Sequence, residues 1–468
     1  MQRIEWLAEQ RQLLLTRLST HFVQVFALFV LSMCIVWVII PHPLIPIAIG
    51  LIPIAILIIN SQPVLLGLAF IAFSFFRLHE AFSFLYPLKI PLMLSLGTLI
   101  SLGWHIWIGG KIKIFIGKEL ICFYVFFVLV TLGLAFSGNM SEASTYYKQV
   151  YIKIGIMTPV LAWILYNTNH YRKALSMISL SGLAVALVTI NNKFMNIGIV
   201  EETRVTVGRE LGSVLGDPND LALVLLFPFS FSLSIAMTDG LTKKRRVFGL
   251  VTAIAILIAI IGTQSRGGLL GILSALSAIA WRRVKSKVLL FSLGGVLCGV
   301  LFLVAGISER HSGGASEAGL DQSAKGRLYA WEAAFLMAVE NPITGVGLNN
   351  FYFNYFYYTP NWDGVNHAVH STWFGVLSET GFIGLATFLT MTLVIYLSAH
   401  KTVNTVFKPS PVYSSEIRAL SVGLYSGIIA FCVSGTFLTH GFTWPLYILL
   451  ALTASVSNYV NNKEIEFR

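Results

Sequence analysis

Charged side chains are scarce in this sequence: Asp, Glu, Lys and Arg supply 11% of its 468 residues, against 56% hydrophobic. A chain so poor in charge cannot dress a soluble core in a solvated surface. Cysteine is equally thin. Cys34, Cys122, Cys298 and Cys432 all lie inside apolar runs, at no spacing that suits a disulfide framework or a metal site, and read as small packing residues. In/out alternation over segments of about ten residues is missing, which excludes a membrane β-barrel. The sequence also lacks an internal repeat, a low-complexity tract and a soluble domain that could be cut away.

What remains is apolar sequence in runs of roughly 18 residues or more, each able to cross about 30 Å of hydrocarbon as a helix. The expected fold class is all-α, a polytopic membrane protein of about 12–14 transmembrane helices. The spans fall near 22–40, 44–60, 63–76, 91–108, 119–136, 151–166, 174–190, 221–237, 247–262, 268–281, 288–305, 371–396, 417–437 and 442–459. The first run is too long for a cleavable signal core and reads as a retained span. The expected division is an N-terminal segment 1–21, transmembrane helices 22–305, a long loop 306–370, C-terminal transmembrane helices 371–459 and a tail 460–468.

The formal net charge of +11 could suggest nucleic acid, but the basic residues are spread over short loops between spans, so no nucleic-acid partner is expected. With the N-terminus inside, about 21 of the 32 Lys and Arg fall on the cytoplasmic side, as positive-inside sorting demands. Both termini are then cytoplasmic.

That orientation singles out "GTQSRGG" at 262–268, because Arg266 faces outward, opposite the KKRR and WRRVKSK loops. It reads either as a snorkelling anchor or as a binding residue, with Gly267 and Gly268 permitting a tight turn or a close approach. The long outer loop carries "GRLYAWEAAFLMAVENP" from Gly326, where Leu328, Trp331, Phe335, Ala338 and Val339 recur at helical spacing. An amphipathic helix is expected there, with Arg327 in its first turn and able to hold an anion beside the helix N-terminus. The aromatic "FYFNYFYYTPNWDG" that follows can stack on sugars or form an interfacial belt. In a smaller outer loop Asn219 or Asp220 is expected to cap the next span, with Lys148 and Arg209 among the outer basic residues.

The long loop ends in "HAVHSTWFGVLSETGFIGL". His370 sits at the mouth of span twelve, where an imidazole can take a proton from a hydroxyl or serve structure alone. His367 competes for the role. Glu379 lies about 13 Å further along the same helix and needs a partner at that depth, either an outer basic residue or a neighbouring backbone group. Two arginines, a candidate base and aromatic rings on one face suit group transfer from a lipid diphosphate, since arginine forks match phosphate oxygens. No Asp-x-Asp or His/Cys ligand spacing occurs on that side, so neither metal nor cofactor is expected.

"GTQSRGG", "GRLYAWEAAFLMAVENPITGVGLNNF" and "HSTWFGVLSETGFIGL" together resemble, in order and spacing, the three landmarks of the bacterial O-antigen ligase and polymerase superfamily. The matched region covers about 262–385, and "LGDPNDLAL" at 215–223 resembles a subgroup of such ligases. The resemblance implies a GT-C-like fold in the bacterial inner membrane with a periplasmic active site. It implies a metal-independent, inverting transfer of glycan from undecaprenyl diphosphate. Arg266 and Arg327 would bind the donor diphosphate and His370 would serve the acceptor hydroxyl, with Glu379, His367, Lys148 and Arg209 as supporting residues. Ser371 stands where many members carry Asn. The partners implied are the lipid-linked donor, lipid A-core or a growing glycan as acceptor, and membrane lipids.

The expected activity is O-antigen ligation. A polymerase differs only in acceptor, and a protein O-oligosaccharyltransferase is a third reading. A transporter fits less well, because the polar landmarks gather at one face rather than along a mid-membrane path.

Overall fold

A computed structural model describes residues 22–39, 56–304, 322–409 and 412–466. The helices are α1 (Phe22–Ile39), α2 (Pro63–Ser74), α3 (Ile90–Trp107), α4 (Lys118–Gly133), α5 (Met140–Tyr146), α6 (Ile152–Ile164), α7 (Thr168–Phe194) and α8 (Pro218–Met237). They continue with α9 (Lys243–Thr263), α10 (Arg266–Arg283), α11 (Lys287–Val304), α12 (Gln322–Glu340), α13 (Phe351–Tyr358), α14 (Thr372–Thr405), α15 (Ser415–Ser434) and α16 (Trp444–Glu466). Among the described residues the only sheet is a two-residue hairpin, with Ile199 opposite Val205 and Val200 opposite Arg204. The protein is all-α and polytopic: seven of the described helices are long and apolar enough to cross a membrane. The predicted spans coincide with helices, the second over its described part, residues 56–60; the rest of the second, and residues 1–21 and 306–321, lie outside the described residues.

Burial orders the bundle. The apolar stretch of α8 is 83% buried and that of α15 78%, whereas α3 and α4 reach only 28% and turn leucines, isoleucines and valines outward. Helix α8 is central because its neighbours approach through residues without side chains. A Cβ placed on Gly182 of α7, Gly249 of α9 or Gly271 of α10 would lie 2.2, 2.6 and 2.3 Å from atoms of α8. Small residues at such contacts supply the van der Waals packing that hydrophobicity cannot provide between helices in lipid.

The loops sort to two ends. At one, Arg245 pairs with Glu416 at 3.0 Å, Lys408 with Glu464 at 3.3 Å, and Arg282 donates to Asn404 at 2.7 Å. The three motifs meet at the other.

Three local expectations need correction. Helix α12 begins at Gln322, so Arg327 lies beyond its first turn and cannot use the free N–H groups there. The Gln-Ser-Ala-Lys segment is helix-forming enough to extend the start. Its packed face is only partly the predicted one: Ala338 is buried and Trp331 packs against the core with Ala330, Ala333, Ala334 and Met337, while Leu328, Phe335 and Val339 are exposed. Span twelve is not one straight helix either. Gly381, at φ 67° and ψ −171°, breaks α14 in a conformation that only glycine adopts readily.

Candidate functional site

The turn bearing the first motif is tight. Thr263 ends α9, Gln264 takes the left-handed conformation at φ 51°, and Ser265 caps α10 by accepting from the N–H of Gly268 at 3.2 Å. The turning residue is therefore Gln264. Gly267 and Gly268 instead allow close approach, since a Cβ there would stand 3.3 Å from Phe437 and 2.7 Å from Ala222. Arg266 is the first residue of α10, half-buried at the motif-bearing end.

Phe437 links this turn to the second motif, for the Arg327 guanidinium lies 6.0 Å from its ring centroid. One turn beyond Arg327, Trp331 stacks on Phe374 at 5.2 Å and donates its indole N–H to the Val369 carbonyl at 3.1 Å. Trp331 thus holds the backbone immediately before His370. His370 itself is left-handed at φ 46°, a strained state for a residue with a Cβ. Ser371 then caps α14 by accepting from Phe374 N–H. The strain and the cap turn the chain sharply at His370.

His370 sits among charges. Burial, then the neighbouring Arg327 guanidinium, pushes its pKa below the ordinary value, while Asp217 and Asp220 oppose the shift and His367 adds to it. The imidazole is therefore held neutral to lower pH than a free histidine, the form that can accept a proton.

The acidic pair comes from the Asp217-Pro218-Asn219-Asp220 turn. The cap of α8 is Asp217, not the expected Asn219 or Asp220: its Oδ1 accepts from the N–H groups of Asn219 and Asp220 at 2.7 and 3.2 Å. Pro218 follows as first helical residue, where its missing donor costs nothing. Asn219 and Asp220 are thereby freed for other contacts. Asn219 accepts from Arg204 at 2.7 Å, and Arg204, 2% exposed, also donates to the Thr263 carbonyl at 2.9 Å. That buried arginine fixes the end of α9 at the residue before the left-handed Gln264.

Asp220 bonds His440 Nε2 at 2.9 Å, and Thr443 bonds the other ring nitrogen at 2.8 Å. His440 is 2% exposed. Its segment is fastened to α14 by Thr372, whose hydroxyl donates to the Leu438 carbonyl at 2.6 Å and accepts from His440 N–H at 3.1 Å. Sequence reasoning missed this connection between α15 and α16. The one signal was a histidine in the apolar stretch "FLTHGFTW", at the same end as the motifs.

The remaining candidates make contacts of their own. Glu379 accepts from the N–H groups of Asn349 at 2.8 Å and Phe351 at 3.4 Å, so its carboxylate ties the Gly345–Asn350 loop to α14. Asn350 locks the loop's other side, accepting from Asn139 N–H at 2.9 Å and donating to Ser137 Oγ at 2.8 Å. His367 pairs with Asp363 at 2.7 Å and meets Tyr355 edge-on at 5.4 Å. Arg209 donates to the Gly216 carbonyl at 3.3 Å, latching the loop before α8. Lys148 is exposed on a π-helical turn, Tyr147–Tyr151. Among the described residues no group of three His, Cys, Asp or Glu side chains could hold a metal ion.

The fold and this cluster define an integral membrane protein with a polar site at one end of its helix bundle. Residues 251–389, under a third of the chain, match the family model described as O-antigen ligase. The match contains all three motifs, and proteins with this domain are glycosyltransferase-like enzymes. No curated protein matches the sequence.

Proposed function

We propose that the protein is a glycosyltransferase of the O-antigen ligase type, moving a preassembled glycan from undecaprenyl diphosphate to the hydroxyl of lipid A-core or a related acceptor. The observation that carries this reading is the approach of Arg327 to both Phe437, beside the Arg266 turn, and the neutral-held His370. The two guanidiniums bind the donor diphosphate, whose negative charge grows as it departs. The acceptor oxygen attacks the anomeric carbon from the face opposite the diphosphate. The new C–O bond forms as the C–O bond to phosphorus breaks, which inverts the anomeric centre. The acceptor proton passes to His370, and undecaprenyl diphosphate leaves with the bonding pair.

Donor binding assists that proton transfer. A diphosphate on Arg327 cancels the positive charge that depresses the His370 pKa, so the imidazole becomes a stronger base once the donor is seated. The gathering of basic residues at the far end supports an inner-membrane protein with cytoplasmic termini and a periplasmic site.

Purified protein with an undecaprenyl-diphosphate-linked oligosaccharide and lipid A-core, supplied together and separately, tests the proposal by mass spectrometry of the products. Glycan on lipid A-core, lost in His370→Ala, is the expected result. Longer lipid-linked chains from donor alone would replace ligation with polymerisation, and no new glycosidic bond under any condition would remove the enzymatic reading.

A further inference from the structure

Beside the motif cluster lies a cavity of about 680 Å³, walled by α2, α3, the π-helical turn and the start of α16. It contains none of Arg266, Arg327 and His370. Its cations are Arg77, Lys89 and Lys153, and its walls are otherwise largely apolar. One edge is formed by His440, the partner of Asp220, whose carboxylate acts on His370. The cavity therefore meets the motif cluster through His440, on a wall that includes neither donor arginine.

Two further features point to a ligand. Arg77 and Lys89 both hold left-handed backbone conformations, at φ 50° and 47°, strain that characteristically marks ligand clamps. Glu80 is 6% exposed and lines the cavity; one oxygen accepts from Arg77 at 2.6 Å, while the other has no hydrogen-bond partner among the described residues. A buried carboxylate oxygen in a cavity lined by Arg77, Lys89 and Lys153 suits a molecule that carries both phosphate and hydroxyl groups. Trp444, braced edge-on by Phe70 at 5.3 Å, adds an aromatic wall of the kind that packs against sugar or acyl chain.

We infer that this cavity seats the phosphate-bearing headgroup of the acceptor glycolipid, with Arg77, Lys89 and Lys153 on phosphate and Glu80 on a sugar hydroxyl. The inference rests on the glycosyl-transfer reading and gives it a second anion site, separate from the donor's. A transfer between two anionic lipids needs both, since one cationic cluster serving two phosphates would make the substrates compete. Either acceptor chemistry, phosphorylated lipid A-core or a second lipid-linked diphosphate, satisfies the same cations.

The test compares the wild type with Lys89→Gln/Lys153→Gln, both lysines being exposed and removable without emptying the core. At saturating donor, the KM for phosphorylated lipid A-core should rise about tenfold in the variant, with the KM for donor changed less than about twofold. Dephosphorylated lipid A-core should not distinguish the two proteins. The same series with a second lipid-linked oligosaccharide as acceptor tells the two phosphate sources apart. An unchanged acceptor KM, or a rise confined to the donor, would overturn the assignment. Native mass spectrometry of each glycolipid bound to the protein reads affinity without turnover, so an inactive wild type would defeat the transferase reading while still testing the cavity. Equal retention by wild type and variant, or displacement of the glycolipid by phosphatidylglycerol at equal concentration, would defeat the inference itself.

Discussion

Replacing Thr372 by valine removes a hydroxyl and preserves shape, and so isolates two hydrogen bonds that join α14 to the His440 segment. The Thr372 side chain is fully buried; it donates to Leu438 and accepts from His440 N–H. Leu438 and His440 are 1% and 2% exposed, so water does not replace the lost partner. Each buried polar group left unpaired costs about 1–3 kcal/mol, and two are orphaned, giving roughly 2–6 kcal/mol in all. The segment can relieve that cost only by moving, which withdraws His440 from Asp220 and alters the charge around His370. Thr372→Val should therefore lower the unfolding midpoint in detergent and reduce glycan transfer by at least about tenfold, the equivalent of 1.4 kcal/mol. Thr372→Ser keeps the hydroxyl and should retain most of both. A valine variant with wild-type stability and transfer would refute the reasoning, and a serine variant as impaired as valine would assign the effect to the lost methyl group.

Arg266→Lys keeps the charge but not the fork, and should lose about 10- to 100-fold in transfer at matched protein levels; near-normal transfer would remove the clamp assignment. Because His370 must be neutral to accept a proton, activity falls as pH drops through its pKa. Asp220→Asn removes a charge that raises that pKa, so the acid limb of the kcat/KM profile should move to lower pH, whereas Arg327→Gln should move it higher. Coincident acid limbs in all three proteins would exclude His370 as the titrating group. Gly345→Ala places a Cβ 2.3 Å from the Ser378 carbonyl at φ 61°. That should cost about 1–3 kcal/mol from the backbone alone, and an unfolding midpoint equal to wild type would show that the loop does not dock as described.

The helices were legible because each carries its own signal: an unbroken apolar run needs no partner to declare itself a span. The motif letters were legible in position but not in role. Arg327 reads as a helix-start residue because Gly326 precedes it, yet the Gln-Ser-Ala-Lys segment carries the helix back to Gln322. Trp331 and Ala338 lie on the packed face of α12 as expected, but Leu328, Phe335 and Val339 do not, for a related reason. Large apolar residues dominate a sequence-based helical wheel, whereas the alanines permit the close approach that buries the other side. The break at Gly381 was hidden too, since glycine is common in transmembrane helices and only the Pro342 carbonyl lying against it shows why this one is needed.

The part of the site least visible in sequence is the part that adjusts the candidate base. Asp220 and His440 are 220 residues apart and share no spacing rule, so nothing short of the folded bundle brings them together. Their contact also explains the division of labour in the Asp-Pro-Asn-Asp turn. With Asp217 capping α8, the next two polar side chains point elsewhere, Asn219 to the arginine behind the Arg266 turn and Asp220 to the histidine that borders the second cavity. One four-residue turn thus bears on the proposed donor arginine, the proposed base and the proposed acceptor cavity. In the proposed sites, charge brought to either one changes the field at His370 through groups that already act on it: a diphosphate through Arg327, an acceptor phosphate through Asp220, which His440 holds at the cavity wall. With both proposed anions seated, proton acceptance by His370 would be most favourable, which would make the productive complex the state in which the base is strongest.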